Sequence, residues 1–135
     1  MKLVIYSDGA SRGNPGHASY GFTVSDKAGV LLYEEGEYIG IATNNVAEYT
    51  AVLQALKYIR KKYDSRELEI EFYVDSRLVV EQLSGRFRIK SKTLKSIVEQ
   101  IKILVIELGK AVYTHIPRDE NSEADRLANS ALDSR

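Results

Sequence analysis

The sequence contains no cysteine in 135 residues. Disulfide bridges, thiolate nucleophiles and cysteine-based zinc sites are therefore excluded. The longest strongly apolar run, residues 103–106, is far too short to cross a bilayer. The first acidic residue, Asp8, follows Met1 too closely for a secretory signal peptide to fit between them. We therefore expect a cytoplasmic protein that does not associate with membranes.

Net charge is also lacking, because 19 basic residues balance 19 acidic residues. Overall charge thus gives no reason to expect nucleic-acid binding, and any such binding must use a local patch. Low-complexity tracts are absent, and 44% of the residues are hydrophobic. This composition and length predict one folded domain over residues 1–135.

The hydrophobic pattern predicts five strands and four helices. The strands are expected at residues 3–7, 20–25, 30–38, 68–74 and 111–116, and the helices at residues 44–63, 77–83, 94–108 and about 124–131. Glycine and proline predict a turn at residues 9–16, and residues 117–120 are expected to form a loop.

This element order predicts an α/β fold. The first three strands follow one another through turns, which favours an antiparallel meander. The last two strands alternate with helices, which favours parallel pairing through right-handed crossovers. We therefore predict a mixed five-stranded sheet flanked by helices.

Four acidic residues stand at positions where ligand sites form. Asp8 and Asp75 each end a predicted strand, Glu48 lies in the first turn of the first long helix, and Asp125 lies near the start of the last helix. Because ligands bind outside the carboxyl ends of strands in open α/β sheets, these carboxylates are predicted to converge.

Converging carboxylates repel one another unless a cation neutralises them. An all-oxygen site selects Mg²⁺ or Mn²⁺, and two such ions about 4 Å apart stabilise both oxygens of a phosphodiester displacement. Each residue alone also has a structural explanation. Asn45 and Glu48 could form a capping box, Asp75 with Ser76 an N-cap, Asp8 a turn, and Asp125 an exposed helix start.

The motifs around these residues resemble those of type 1 ribonucleases H. Residues 8–16 match the pattern D-G-x-x-x-x-N-P-G, and residues 43–48 match T-N-N-x-x-E. Asp75 and Ser76, followed by Val79, resemble a D-S-x-x-V strand end, and residues 121–128 resemble N-x-x-A-D-x-L-A. The four motifs stand in the family's order and span nearly the whole chain.

The resemblance implies the ribonuclease H fold and hydrolysis of the RNA strand of RNA–DNA hybrids, leaving 5′-phosphate and 3′-hydroxyl ends. It implies two Mg²⁺ ions, with Mn²⁺ as a substitute, held by Asp8, Glu48, Asp75 and Asp125. It also places Glu48 near the ribose 2′-hydroxyl, which is the group that distinguishes RNA from DNA.

The resemblance further implies substrate contacts. Asn14, Asn44 and Asn45 occupy positions that contact the minor groove in the family, and Thr43 with Asn14 matches a site that binds a phosphate of the DNA strand. Ser76 and Arg77 are included in this substrate-binding set, although several members have glutamine where Arg77 stands. The structural alternative for the asparagines is turn and cap chemistry.

The sequence departs from the family near its last motif. Many members carry a histidine on a flexible loop there, whereas His115 is predicted at a strand end. Arg118 lies in the loop and is a candidate contact to the scissile phosphate, because guanidinium groups match phosphate geometry. Both residues are candidate catalytic groups, with a strand-end histidine and a solvated arginine as the alternatives.

A second departure is the absence of a long basic insertion. Only a basic segment stands there, comprising Arg86, Arg88, Lys90, Lys92 and Lys95, with Phe87 interleaved. This segment, and Arg86 and Arg88 above all, is a candidate phosphate-binding patch, or else a solvated helix approach. We expect a short form of the family that lacks a hybrid-binding domain and acts as a monomer.

Four other functions are compatible with parts of this sequence. The first is a ribonuclease H-fold nuclease of broader duplex specificity that also cuts double-stranded RNA, and the second is a transposase- or resolvase-like nuclease. The third is a non-catalytic hybrid-binding module, which would be expected to lose a carboxylate. The fourth is a nucleotide-phosphate enzyme, but the loop after Asp8 lacks the G-K-[ST] ending of a P-loop.

Overall fold

The protein is described by a computed structural model covering residues 1–86 and 88–135. Phe87, expected within the basic segment, lies outside the described residues. The strands are β1 (Lys2–Gly13), β2 (Gly16–Asp26), β3 (Leu31–Ala42), β4 (Leu68–Val74) and β5 (Gly109–His115). The helices are α1 (Asn44–Lys62), α2 (Arg77–Leu83), α3 (Lys92–Leu108) and α4 (Ser122–Asp133), with a short 3₁₀ turn at Arg118–Glu120.

The five strands form one sheet in the order β3-β2-β1-β4-β5. Strands β1, β2 and β3 pair antiparallel, whereas β4 pairs parallel with both β1 and β5. The predicted mixed sheet, with a meander followed by two parallel strands, is therefore confirmed. None of the described helices is both long and apolar enough to cross a membrane.

Strand β1 is longer than predicted, and the turn expected at residues 9–16 is wrong. Pairing with β2 continues from Leu3–Asp26 to Gly13–Gly16, so only Asn14 and Pro15 form the turn. Asp8 therefore lies inside β1 rather than at its end. The parallel pairing of β1 with β4, however, stops at Ser7–Val74. Beyond Ser7, one edge of β1 is open.

Other boundaries shift by a few residues. Strand β3 continues to Ala42, α3 begins at Lys92, and β5 begins at Gly109 and ends at His115. Gly109 follows α3 directly and has a φ of 142°, a conformation that glycine adopts readily. The tight turn at this glycine explains why β5 begins earlier than its apolar residues indicated.

One face of the sheet packs against α1. The small residues Ala47, Ala51 and Ala55 are fully buried, and so are the larger Leu56 and Ile59 on the same helix. The three alanines thus let α1 lie close to β1 and β2. Helix α3 packs against α1 and completes this side of the core.

Helix α4 covers the opposite face of the sheet, where it contacts β1, β2 and β3. Alternate residues of a strand point to opposite faces, and Phe22 belongs to the core beside α1. A side chain on the preceding residue, Gly21, would overlap the backbone of α4. The same holds for Gly36 on β3. These two glycines allow α4 to lie directly on the backbone of the sheet.

Candidate active site

Asp8, Glu48 and Asp75 converge beside the open edge of β1. One carboxylate oxygen from each lies within 4.8 Å of the corresponding oxygens of the other two. Asp8 is 4% exposed and Glu48 is 9% exposed. Because β4 no longer pairs with β1 beyond Ser7, side chains from a strand end and a helix can reach Asp8 there.

The start of α1 positions Glu48. Thr43 is the N-cap, and its hydroxyl accepts a hydrogen bond from the Val46 amide at 3.2 Å. The alternative in which Asn45 and Glu48 form a capping box is therefore not found. The prediction that Glu48 lies in the first turn of the helix is wrong, because α1 begins at Asn44 and Glu48 lies beyond its first turn. Because Thr43 satisfies the helix end, the Glu48 carboxylate is free to enter the site.

The absence of a side chain at Gly9 brings α1 against β1. A Cβ at this position would overlap the backbone of Ala47 and Glu48. The φ angle of Gly9 is not positive, so the requirement is space and not backbone conformation. The glycine next to Asp8 thus determines how closely Glu48 approaches it.

Asp75 follows β4 directly, and Ser76 then caps α2 by accepting a hydrogen bond from the Val79 amide at 3.3 Å. The side chain of Asn121, which is 1% exposed, donates to Asp75 Oδ2 at 3.1 Å and to the Ser7 carbonyl at 2.9 Å. The amide of Asn121 therefore holds the Asp75 carboxylate against the end of the β1–β4 ladder.

Asp125 lines the same cavity from α4 and lies near Asp8. Among the described residues, it is not part of the group of mutually close ligand atoms. Its negative charge is still near enough to raise the pKa of Asp8. The Arg118 guanidinium lies 4.0 Å from Asp125 Oδ1, and Asn129 Nδ2 donates to the same oxygen at 3.1 Å.

The buried carboxylates hold protons more tightly than ordinary ones. Burial, together with the negative charge of Asp75, raises the pKa of Asp8 to about 7. Burial and then the charge of Asp8 raise the pKa of Glu48 well above its ordinary value. Both shifts express the free-energy cost of placing anions together away from water.

This arrangement fits a divalent cation. Glu48 Oε2 is buried and has no hydrogen-bond partner among the described residues. An unpartnered carboxylate oxygen is costly to bury, and a cation would satisfy it. The donors are all oxygen, as hard ions such as Mg²⁺ prefer. The site can therefore hold a divalent metal ion on Asp8, Glu48 and Asp75.

The four carboxylates line a cavity of about 420 Å³, called here the acidic cavity. Other predicted site residues that line it are Asn44, Asn45, Ser76 and Arg118. Asn14 and Thr43 instead contribute to the fold, because Asn14 Oδ1 accepts from the Asn44 amide at 3.1 Å and Thr43 caps α1. Their substrate roles stay predictions.

Two predicted residues lie elsewhere. His115 ends β5, is exposed and does not line the acidic cavity, whereas Arg118 does. The structure thus places the arginine, and not the histidine, beside the carboxylates. Arg77 is exposed on the first turn of α2.

The basic segment is exposed and separate from the acidic cavity. Arg86 makes a 3.1 Å ion pair with Glu81. Arg88 and Lys95 line a different depression, together with Ile89. A phosphate contact is therefore more accessible to Arg88, because the charge of Arg86 is partly offset by Glu81.

Three further residues at the site were not singled out in the sequence. Arg12 lines the acidic cavity and makes a 2.5 Å ion pair with Asp133 of α4. Asn121 and Asn129 donate to carboxylates. The sequence partly indicated a role for the two asparagines. Asn121 is the first residue of the last motif, and Asn129 lies one helical turn after Asp125. Arg12 gave no such signal, since its partner is 121 residues away.

Several known proteins are similar to this chain in sequence and in fold. A model of the reverse transcriptase-like family matches residues 6–131. Ribonuclease HI of Halobacterium salinarum is 41% identical over 132 residues, covering 98% of this chain and 65% of that protein. The solved structure of RNase H1 from the same archaeon superposes with a TM-score of 0.92 at 38% identity, covering both chains fully.

A third relative is an RNase H1 isolated from compost, solved in complex with an RNA/DNA hybrid. That complex superposes with a TM-score of 0.89 at 40% identity, covering 98% of this chain and 97% of the other. A bifunctional protein of Mycobacterium tuberculosis is 44% identical over 135 residues. The chain spans only 36% of that mycobacterial relative's length.

The fold and the acidic cavity define a ribonuclease H-like protein. The predicted resemblance and the predicted fold are both confirmed by these comparisons. The chain belongs to the reverse transcriptase-like family and, within it, to the type 1 ribonucleases H.

Proposed function

We propose that this protein is an endonuclease that hydrolyses the RNA strand of RNA–DNA hybrids with the help of two divalent cations, Mg²⁺ or Mn²⁺. The convergence of Asp8, Glu48 and Asp75 is the observation that supports it best. It is further supported by the likeness to an RNase H1 solved with an RNA/DNA hybrid.

The carboxylates would bind the cations. Asp8 and Asp75 extend from adjacent strands, Glu48 from α1 and Asp125 from α4. Divalent cations held there would neutralise these charges and stabilise the attacking and leaving oxygens of the displacement. Water adds to the phosphorus as the bond to the 3′ oxygen breaks, which gives 5′-phosphate and 3′-hydroxyl ends.

The residues around the carboxylates would position the substrate. Glu48 is proposed to accept a hydrogen bond from the 2′-hydroxyl next to the cut, which would favour an RNA strand. Asn44 and Asn45 stand at the mouth of the same cavity, where their amides could reach base edges in the minor groove. The exposed guanidinium of Arg118 would bind the scissile phosphate.

We propose that one chain acts alone in the cytoplasm. The four carboxylates proposed to bind the cations lie on one chain and line one cavity, which supports cleavage by a single copy. Sedimentation of the protein with and without a hybrid tests this proposal. A dimer that binds one hybrid would contradict it.

Cleavage of matched duplexes is the direct test. RNA–DNA, RNA–RNA and DNA–DNA duplexes of one sequence should be compared with Mg²⁺ and with Mn²⁺. We expect cutting of the RNA strand in the hybrid only. Equal cutting of RNA–RNA would favour the broader duplex specificity, and binding without cutting would favour a hybrid-binding module.

Metal removal tests the chemistry. We expect EDTA to stop cleavage and Mg²⁺ or Mn²⁺ to restore it, because the ligands are oxygen atoms. Restoration by Zn²⁺ alone would contradict the proposed ion class.

A further inference from the structure

Asp125 differs from the other three carboxylates in how it is held. It projects from a helix, its side chain is 36% exposed, and it stands outside the group of close ligand atoms in the described part of the chain. Several side-chain rotamers are therefore open to it. Only some of them direct its carboxylate toward Asp8.

Asn129 restrains this freedom. It lies one turn further along α4, and its Nδ2 donates to the Asp125 carbonyl at 3.0 Å and to Asp125 Oδ1 at 3.1 Å. One amide group thus ties the carboxylate to the backbone of its own helix. A hydrogen bond to a charged acceptor is stronger than one between neutral groups.

The amide also leaves the charge of Asp125 intact. A neutral donor orients a carboxylate without cancelling the negative charge that a cation needs. Arg118, by contrast, would compete with a cation for Asp125, but its guanidinium is 85% exposed and 4.0 Å away. The same device occurs at Asp75, whose Oδ2 accepts from the Asn121 amide.

We propose that Asn129 is a positioning residue that fixes the Asp125 carboxylate toward the acidic cavity and thereby raises the affinity of the cavity for divalent cations. The inference rests on the proposed function for its use in cleavage, but it makes a claim about metal binding that can be measured without any nucleic acid.

The test is calorimetric titration of Mn²⁺ into the hybrid-free protein. We expect Asn129→Ala to weaken Mn²⁺ binding by about tenfold, the typical loss when a residue that orients a metal ligand is removed. Asn129→Gln keeps a donor that can reach an aspartate four residues earlier on a helix. It should recover part of the loss.

A double-mutant cycle distinguishes positioning from a general effect. If Asn129 acts through Asp125, then Asn129→Ala should change nothing further in an Asp125→Asn background. Equal Mn²⁺ affinity of Asn129→Ala and the unmodified protein would overturn the proposal. So would a further loss in the Asp125→Asn background.

Ser130→Ala is the matched control, because Ser130 is the next residue of α4 and is exposed. Alanine is the better helix former, so neither alanine variant should melt earlier than the unmodified protein. In the cleavage assay, Asn129→Ala should raise the Mg²⁺ concentration for half-maximal activity and leave the KM for the hybrid unchanged. If Mn²⁺ binding changes as expected but no duplex is cut, only the proposed function fails.

Discussion

The acidic cavity and the basic segment carry opposite charge, and the fold holds them by different means. The carboxylates come from distant parts of the chain, and Asp8 and Glu48 are buried. The basic residues are close neighbours in sequence, and Arg86 and Arg88 are exposed. Buried charges interact strongly and resist salt, whereas exposed charges are screened. We therefore expect the cavity to control chemistry and the segment to control substrate affinity.

The largest expected effect is the loss of cleavage rate when the acidic cavity loses one negative charge. Asp8→Asn should lower kcat by at least about a thousandfold, because it removes a central cation ligand worth several kcal/mol. Hybrid binding, measured by fluorescence anisotropy, should change little. The exposed Asp64→Asn is the control and should cut normally. Appreciable cleavage by Asp8→Asn would contradict a central role for this carboxylate.

A smaller effect is expected on stability, and it depends on pH. The folded-state pKa of Asp8 is about 7, against about 3.9 in an unfolded chain. The folded protein therefore binds the additional proton between these values. The stability that this proton provides is complete below pH 3.9 and is lost as pH rises through 7.

In metal-free protein, Asp8→Asn should remove the loss of folding stability that occurs as pH rises through 7. Urea unfolding in EDTA should show the variant to be more stable, by on the order of 1–3 kcal/mol at pH 8 and by much less at pH 4. Asp64→Asn should show no such trend. A stability difference for Asp8→Asn that stays constant with pH would contradict the assigned proton affinity.

The smallest expected effect is the change in substrate affinity when the basic segment loses charge. Arg86→Ala with Arg88→Ala should raise the KM for the hybrid by roughly three- to tenfold and flatten its dependence on salt. Most of the effect should come from Arg88, because Arg86 is paired with Glu81. Arg66→Ala is the control, because Arg66 is exposed and lies just before β4 begins, at the end of the strand away from Asp75. An unchanged salt dependence would separate the segment from substrate binding.

The sheet was predictable because strands and helices follow local patterns, and the approach of three carboxylates because ligand sites form outside the carboxyl ends of the strands in such a sheet. Strand β4 and helix α2 have the predicted bounds, and the motif around Asp75 marks where they join. The length of β1 was not predictable in this way. Its glycines and proline are typical of a turn, but pairing with β2 extends the strand as far as Gly13.

Individual hydrogen bonds and ion pairs were also not predictable. The spacing of Asn45 and Glu48 is typical of a capping box, yet Thr43 occupies the cap. Both choices satisfy the helix end locally, and the packing of Glu48 against Asp8 favours the second. The ion pair of Arg12 with Asp133 joins residues at the two ends of the chain, and no periodicity indicates it.

The packing of α4 against Gly21 and Gly36 affects the position of Asp125, the fourth carboxylate. At these two glycines the helix backbone lies directly against the strand backbone, so no side chain of the sheet separates them there. A Cβ added at either glycine would overlap the α4 backbone and would displace the helix together with Asp125. Asp8 and Glu48 belong to β1 and α1, whereas Asp75 is held by Asn121 at the start of α4, so its position would change as well. Two residues without side chains, one of them paired with Asp8 in the sheet, thus determine how closely the fourth carboxylate approaches the cavity.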